Sequence, residues 1–228
     1  MEYRFILRDV YFISDYAGSY AELKEISGDI SRAERNVNII KDSPVIKAVP
    51  MLLRRRLNAA GRMAIGLSIE ACSRYSVDKV IYASRTGETL RCIKLLQEVY
   101  KGEGVSPTEF SASVHNSNIG VFSIINGFYQ ETTAVSAAEN TLGAALTEAC
   151  ASLYGSDMQR VLVVCYEENL SNRIMPIPNA DFCHGPFAGA MVLEKCRDDE
   201  ISSNVFTFDY AGCGSMNTVD FFRSISFS

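Results

Sequence analysis

The segment from Thr132 to Gly155 constrains the fold of this 228-residue chain more than any other. Residues 132–136 are β-branched or small, a composition typical of a β-strand. The residues that follow have the spacing of a helix, with small or apolar side chains at Leu142, Ala145, Leu146 and Ala149. A strand that passes directly into a helix makes a sharp elbow, and such elbows often present a nucleophile at the helix N-terminus. Here the elbow side chain is Glu139.

Length and composition predict one domain that spans residues 1–228. Charged residues make up 21% of the chain and apolar residues 47%, the balance of an ordinary globular protein. Residues 29–50 are polar and interrupted by proline, so we interpret them as a connecting excursion. Residues 196–228 are expected to form a C-terminal strand and tail.

Charge and residue spacing argue against several classes of function. The formal net charge of −5 gives no support for nucleic-acid binding. The seven cysteines lack paired spacing and do not cluster with histidine, so we expect no metal, no cofactor and reduced thiols in a cytoplasmic protein. No apolar run approaches the roughly 18 residues that a membrane span needs.

Alternating strand and helix patterns predict an α/β fold. Five strands are expected at residues 3–13, 77–83, 132–136, 160–165 and 188–193, and a sixth is left open at 206–210. Helices are expected at residues 20–26, 57–71, 88–100, 119–126 and from the elbow to about 155. Such alternation predicts a layered αβα sandwich around a mixed, mostly parallel, five-stranded sheet.

Three stretches of the sequence resemble β-ketoacyl synthases, which belong to the thiolase-like superfamily. Residues 135–141 (VSAAENT) are similar to the nucleophile elbow of these enzymes, with Glu139 where their acyl-carrying cysteine stands. Residues 82–88 (YASRTGE) and 106–116 (SPTEFSASVHN) resemble the ketosynthase-like N-terminal-domain family. The resemblance covers about residues 5–194 and implies half of a thiolase-like fold.

The resemblance implies a subunit without catalytic residues. Family enzymes join two such halves, and the second half supplies two catalytic histidines, whereas this sequence contains only His115 and His184. The chain is similar to the short chain-length-factor-like partners of aryl polyene ketosynthases. It would pair as a heterodimer with a full-length β-ketoacyl synthase, stabilise it and shape its acyl tunnel. The pathway would be of the type II polyketide or fatty-acid-like class.

The elbow strand resembles the strand that pairs across the dimers of this superfamily. The residues expected at the partner interface are Phe128, Tyr129, Thr132, Thr133 and Val135, and the two aromatic residues would cap or line the partner's acyl tunnel. An open strand edge favours aggregation unless a partner covers it, which supports an obligate complex.

A basic run and a set of pocket candidates each have two interpretations. Arg54, Arg55, Arg56 and Arg62 form either a solvated helix face or a docking patch for an acidic acyl carrier protein. The pocket candidates are Ser113, His115, Asn116, Glu139 and Asn140.

Glu139 either stabilises the helix N-terminus by about 0.3–1 kcal/mol or mimics an acylated cysteine. His115 could act as a general base, but Ser113 and Asn116 beside it favour helix capping and loop hydrogen bonds. His184 lies in a turn-rich connection, where a structural role is expected.

Two other functions remain open at the level of sequence. A ketosynthase-like enzyme without the cysteine could still decarboxylate a malonyl thioester or transfer another acyl group. Alternatively, the chain could act alone as a homodimeric acyl-binding or scaffold protein.

Overall fold

A computed structural model describes residues 2–26, 33–170, 186–197, 204–209 and 218–225. The strands are β1 (Glu2–Ser14), β2 (Lys79–Ala83), β3 (Glu131–Val135), β4 (Arg160–Glu167), β5 (Phe187–Lys195) and β6 (Val205–Asp209). The α-helices are α1 (Tyr20–Glu25), α2 (Val37–Asp42), α3 (Pro44–Ala48), α4 (Met51–Arg54), α5 (Ala59–Arg74), α6 (Thr89–Tyr100), α7 (Pro107–Ser111), α8 (Ser117–Asn126), α9 (Thr141–Gly155) and α10 (Thr218–Ser224).

The described strands form one six-stranded sheet in the order β3-β2-β4-β5-β1-β6. Strand β2 pairs in parallel with β3 and with β4, and the remaining neighbours are antiparallel. The layered α/β fold with a mixed sheet is confirmed. The sheet has six strands rather than five because β6 pairs with β1. Parallel pairing is confined to β3-β2-β4. The sequence could not predict this, because an apolar run does not show in which direction its strand runs.

Helices cover both faces of the sheet, and β4 shows how the sequence encodes this arrangement. Val161, Val163 and Cys165 pack into the cluster that includes the buried face of α9. The alternate residues Leu162, Val164 and Tyr166 pack into the cluster that includes α5 and α8. Because successive strand side chains point to opposite faces, a continuous apolar run fits a strand that is buried on both sides.

The predicted connecting excursion contains two short helices, so its prediction as a connection was incomplete. Helix α2 begins after Asn36, whose side chain accepts a hydrogen bond from the Asn38 N–H, and α3 begins after Ser43, which caps the Val45 N–H. Asn36 and Ser43 are N-cap residues, but in a stretch that is polar throughout they do not stand out as helix starts. Helix α3 packs closely on α5 at Gly66, where a Cβ atom would stand 2.4 Å from the Val45 carbonyl oxygen.

Candidate functional site

The elbow between β3 and α9 is less direct than the sequence predicts. A 3₁₀ turn, Ala138–Asn140, separates the strand from the helix. Ala138 has a left-handed φ of 49°, which is unfavourable for a residue with a Cβ atom. Thr141 holds the turn, because its Oγ1 accepts from the Ala137 N–H at 3.0 Å and donates to the Ala138 carbonyl at 2.8 Å. The strained residue is therefore Ala138, next to Glu139.

Glu139 is engaged by a cation from the neighbouring strand. Arg85 follows β2, and its Nη2 lies 2.9 Å from Glu139 Oε1. The Arg85 side chain is 14% exposed and the Glu139 side chain 63% exposed. In addition, the Ser136 hydroxyl donates to the Arg85 carbonyl at 3.4 Å. The sequence drew attention to Glu139 but not to its partner, because the pair is 54 residues apart.

The β2 loop (residues 84–88) that carries Arg85 is anchored by a buried carboxylate. Glu167 Oε2 accepts from the Thr86 N–H at 3.1 Å, the Thr86 hydroxyl at 2.5 Å and the Ser84 hydroxyl at 3.2 Å. Its other oxygen accepts from the Arg85 N–H. Burial raises the pKa of Glu167 above its usual range, although these donors oppose the shift. Glu167 therefore fixes the backbone of Arg85. The sequence analysis did not identify Glu167 as a site residue.

A second buried carboxylate ties the same loop to two helix starts. Glu88 accepts from the Asn58 amide at 2.9 Å and from the Asn118 amide at 3.1 Å. Arg91 Nε lies 3.1 Å from the same carboxylate. Glu168, beyond β4, accepts from the Ala60 N–H at 2.7 Å, and burial, with the nearby charge of Glu88, raises its pKa. The carboxyl ends of β2 and β4 therefore meet in a hydrogen-bonded polar network.

His115 serves the β2 loop rather than the elbow. Its Nε2 lies 2.8 Å from the Ser84 carbonyl oxygen, and its ring packs against Gly87, which has a left-handed φ of 49°. A carbonyl oxygen can only accept, so this nitrogen carries the proton. The geometry supports the structural interpretation of His115.

The other pocket candidates do not converge on Glu139. The Ser113 hydroxyl donates to the Phe110 carbonyl at 2.7 Å at the end of α7. Asn116 precedes α8, but its side chain makes no capping hydrogen bond, so the capping prediction for Asn116 was wrong. Asn140 Oδ1 is buried against Gly143 without a hydrogen-bond partner. His184 lies outside the described residues.

Strand β3 forms one edge of the described sheet, and β2 is its single neighbour there. The Ser84 N–H donates to the Val135 carbonyl at 3.2 Å, so the backbone groups of Val135 face β2. Backbone groups alternate in direction along a strand, and those of Ala134 and Thr132 therefore face the open edge. Thr132 is exposed, and Thr133 and Val135 are partly buried.

The two aromatic residues before β3 have different environments. Phe128 is only 9% exposed and packs on Phe122, with the ring centroids 5.5 Å apart. This burial contradicts the expectation that Phe128 faces a partner, because its side chain belongs to the core. Tyr129 is 94% exposed, so its side chain is accessible to a partner protein.

The four arginines of the basic run are not equivalent. Arg54 Nη1 donates to the Ile46 carbonyl at 3.3 Å, and Arg62 Nε donates to the Leu57 carbonyl at 3.0 Å. The Ile46 carbonyl lies in the last turn of α3, and the Leu57 carbonyl lies in the connection between α4 and α5. Arg55 and Arg56 are exposed. The surface that a carrier protein could contact is therefore narrower than predicted.

The described residues include no group of three or more His, Cys, Asp or Glu side chains arranged to hold a metal ion. Across the same ranges, no helix has both the length and the apolar character to cross a membrane.

Comparisons with known proteins agree with this architecture. The family model for the N-terminal domain of β-ketoacyl synthases matches residues 30–216. A comparison with curated proteins gives no match. A solved structure of the ketosynthase ApeO in complex with its chain length factor ApeC, from Xenorhabdus doucetiae, contains a chain that is 28% identical, with a TM-score of 0.70. That match covers 85% of this chain and 80% of the other.

Two more distant structures share the fold alone. The ishigamide ketosynthase/chain length factor is 14% identical, with a TM-score of 0.63 over 87% of this chain and 63% of that chain. The AntDE:AntF complex, a type II polyketide acyl carrier protein with its ketosynthase, is 17% identical, with a TM-score of 0.60. That match covers 86% of this chain and 63% of the other, so this chain spans less than two thirds of both.

Proposed function

Because the chain belongs to the β-ketoacyl synthase N-terminal domain family, we propose that it is a non-catalytic subunit that pairs with a full-length β-ketoacyl synthase. The subunit resembles a chain length factor: it stabilises the ketosynthase and shapes its acyl tunnel. The pathway is a type II polyketide or fatty-acid-like system of the aryl polyene kind.

The observation that carries the proposal is the open edge of β3 directly before the elbow. An edge strand offers unpaired N–H and C=O groups, which a partner strand can pair with in a defined register. Thr132, Thr133 and Val135 lie on this strand, and the exposed Tyr129 lies just before it. Phe128 is left out of the proposed interface, because its side chain is only 9% exposed in this chain.

The match to the ApeO–ApeC complex favours a partner subunit of the chain-length-factor kind. It covers 85% of this chain and 80% of the matched chain, at 28% identity. That complex pairs a ketosynthase with its chain length factor. The same kind of pairing is proposed for this chain.

The non-catalytic assignment is supported by the surroundings of Glu139. A carboxylate is a weak nucleophile, and here one of its oxygens is bound to Arg85. His115, the one histidine among the described residues, is hydrogen bonded to the Ser84 carbonyl. Neither arrangement favours the alternative of malonyl-thioester decarboxylation.

An acyl carrier protein is proposed as a second, transient partner. Arg55 and Arg56 are the exposed members of the basic run, and they stand on a chain of net charge −5. Exposed cations steer an acidic partner mainly through the association rate.

Co-expression tests the pairing. The tagged chain is expressed with each full-length β-ketoacyl synthase of the source genome, purified through its tag and sized by chromatography. A one-to-one complex with one of these enzymes is expected. Condensing activity should be found in the complex and not in the isolated chain. If every ketosynthase separates from this chain, the proposed function is wrong.

A further inference from the structure

The connection between β2 and β3, residues 84–130, exposes an unusual share of apolar side chains. Nine large apolar side chains among the described residues are more than half exposed, and six of them lie on this connection. We call these six the crossover patch: Leu96, Val99, Tyr100, Phe110, Ile124 and Tyr129. Scattered exposed apolar residues are ordinary, but their concentration on one connection indicates a surface that is normally covered.

Helix α6 contributes half of the crossover patch. Of its twelve residues, only Leu95 is buried. Leu96, Val99 and Tyr100 follow one another at the spacing of a single helix face. Leu96 and Tyr100 line a shallow depression together with Ile93. A helix with so little burial in its own chain gains its packing from elsewhere.

The rest of the patch leads from α6 to the open edge of β3. Arg91 on α6 lies 2.6 Å from Glu109 on α7, which joins these two helices. Ile124 on α8 lines a cavity of about 460 Å³ with residues of α4 and α7. Helix α8 packs beside β3, and Tyr129 lies two residues before that strand.

The open edge alone is too small for a stable heterodimer. A five-residue strand is about 17 Å long and its edge is only one strand wide. The area of this edge is therefore far below the roughly 800 Å² that each partner buries in a standard interface. A partner strand on β3 must therefore bring other surface of the partner onto neighbouring elements. The part of the crossover patch on α8 and just before β3 lies beside that edge, and the part on α6 extends it.

We infer that the crossover patch is a second contact surface for the ketosynthase that pairs with β3. This inference rests on the proposed function. The ketosynthase lies over α6, α7 and α8 while one of its strands extends the sheet at β3. The two contacts act together, with hydrogen bonds at the edge and apolar burial at the patch.

Two double variants test the patch, with one matched control. They are Phe110→Ser with Ile124→Ser, on α7 and α8, and Leu96→Ser with Tyr100→Ser, on α6. The control, Val37→Ser, changes an exposed apolar residue on α2, outside the crossover. The dissociation constant is measured against the co-purifying ketosynthase, after circular dichroism has shown that every variant is folded.

Each double variant should weaken binding by about tenfold or more, while the control stays within about twofold of the wild type. If both double variants bind like the wild type while Ala134→Pro at the edge does not, the inference is wrong and the proposed function stands. If the wild type binds no ketosynthase, both are wrong. If the wild type self-associates and the double variants do not, a second copy covers the patch and the inferred occupant is wrong.

Discussion

The guanidinium of Arg85 donates a hydrogen bond to the carboxylate of Glu139 over 2.9 Å, and this pair joins the end of β2 to the end of β3. Arg85 is held in turn by Glu167, which accepts from its backbone N–H. The side chain at the position that resembles a nucleophile site therefore forms an ion pair that links two parallel strands. We expect the Arg85–Glu139 pair to affect function by holding the edge strand β3 in place rather than by taking part in a reaction.

Replacing Glu139 by alanine should cost little stability. An ion pair with one exposed partner contributes roughly 0.2–1 kcal/mol, and the helix-start position adds an effect of similar size. We expect the free energy of unfolding, measured with urea, to fall by about 2 kcal/mol at most, with pairing to the ketosynthase retained. Glu139→Gln is the matched control for loss of charge alone. A loss of several kcal/mol would mean that the junction is more important than its exposure suggests.

Restoring a cysteine at position 139 should not create a condensing enzyme. The His115 ring contacts the β2 loop, and its Nε2 is bound to the Ser84 carbonyl, so it does not serve a thiol at the elbow. Glu139→Cys is incubated with acyl- and malonyl-loaded carrier protein, and the carrier is analysed by mass spectrometry. No elongated product is expected, with a full-length ketosynthase as the positive control. An elongated product would point to His115 as an unrecognised base.

Glu167→Gln should destabilise the β2 loop and change its pH dependence. The amide NH₂ would face donors that now bind a carboxylate oxygen, at a cost of about 1–3 kcal/mol. Burial raises the pKa of Glu167 above its unfolded value, so the folded state binds the proton more readily. The free energy of unfolding should therefore fall as the pH rises from the unfolded pKa of Glu167 to its folded pKa. Glu167→Gln should make this decrease with pH less steep.

Urea unfolding of both proteins at several pH values checks the direction of this change. Glu168, whose pKa burial also raises, leaves part of the slope in the variant. An unchanged slope would contradict the assigned role of Glu167.

Two glycine-to-alanine substitutions should act in opposite directions. At Gly66 the added methyl group would meet the Val45 carbonyl, so the close packing of α3 on α5 should be lost at a cost of about 1–3 kcal/mol. At Gly120, in α8, nothing lies within 4 Å of the added carbon. There the higher helix propensity of alanine should add about 0.5–1 kcal/mol. Thermal melts of both variants make the comparison, and equal effects would contradict it.

Much of the fold follows from local patterns, whereas the site does not. The run from Val161 to Cys165 is unambiguous because both of its faces are buried. The aromatic pair before β3 shows where this reasoning ends: Phe128 and Tyr129 are adjacent and similar, yet one is buried and the other exposed. Which of them packs on Phe122 depends on how α8 meets the sheet, and no local pattern contains that information.

The partners of the elbow were also beyond the reach of sequence reasoning. Arg85 and Glu167 lie far from Glu139 along the chain. They come together because β2, β3 and β4 are parallel, so that their carboxyl ends lie at the same end of the strands. The strand order that brings them together is a tertiary property. Thr141, by contrast, acts within its own turn, and a threonine at the first position of the predicted helix was a visible signal.

The direction of the backbone groups on β3 decides how its edge should be tested. Proline at Val135 would break the ladder between β2 and β3, because the Val135 backbone faces β2. Proline at Ala134 removes an N–H that faces the open edge, which an edge strand tolerates. Ala134→Pro is therefore the variant that separates pairing with a partner from folding of this chain.

Size-exclusion chromatography of the wild type and Ala134→Pro, each mixed with the co-purifying ketosynthase, tests whether a ketosynthase pairs with the open edge of β3. A melting temperature close to that of the wild type establishes that Ala134→Pro is folded. If β3 pairs with a ketosynthase strand, the wild type elutes as a one-to-one heterodimer and Ala134→Pro elutes as separate subunits. An Ala134→Pro variant that still elutes as a heterodimer, or a wild type that ignores every ketosynthase offered, would contradict this pairing.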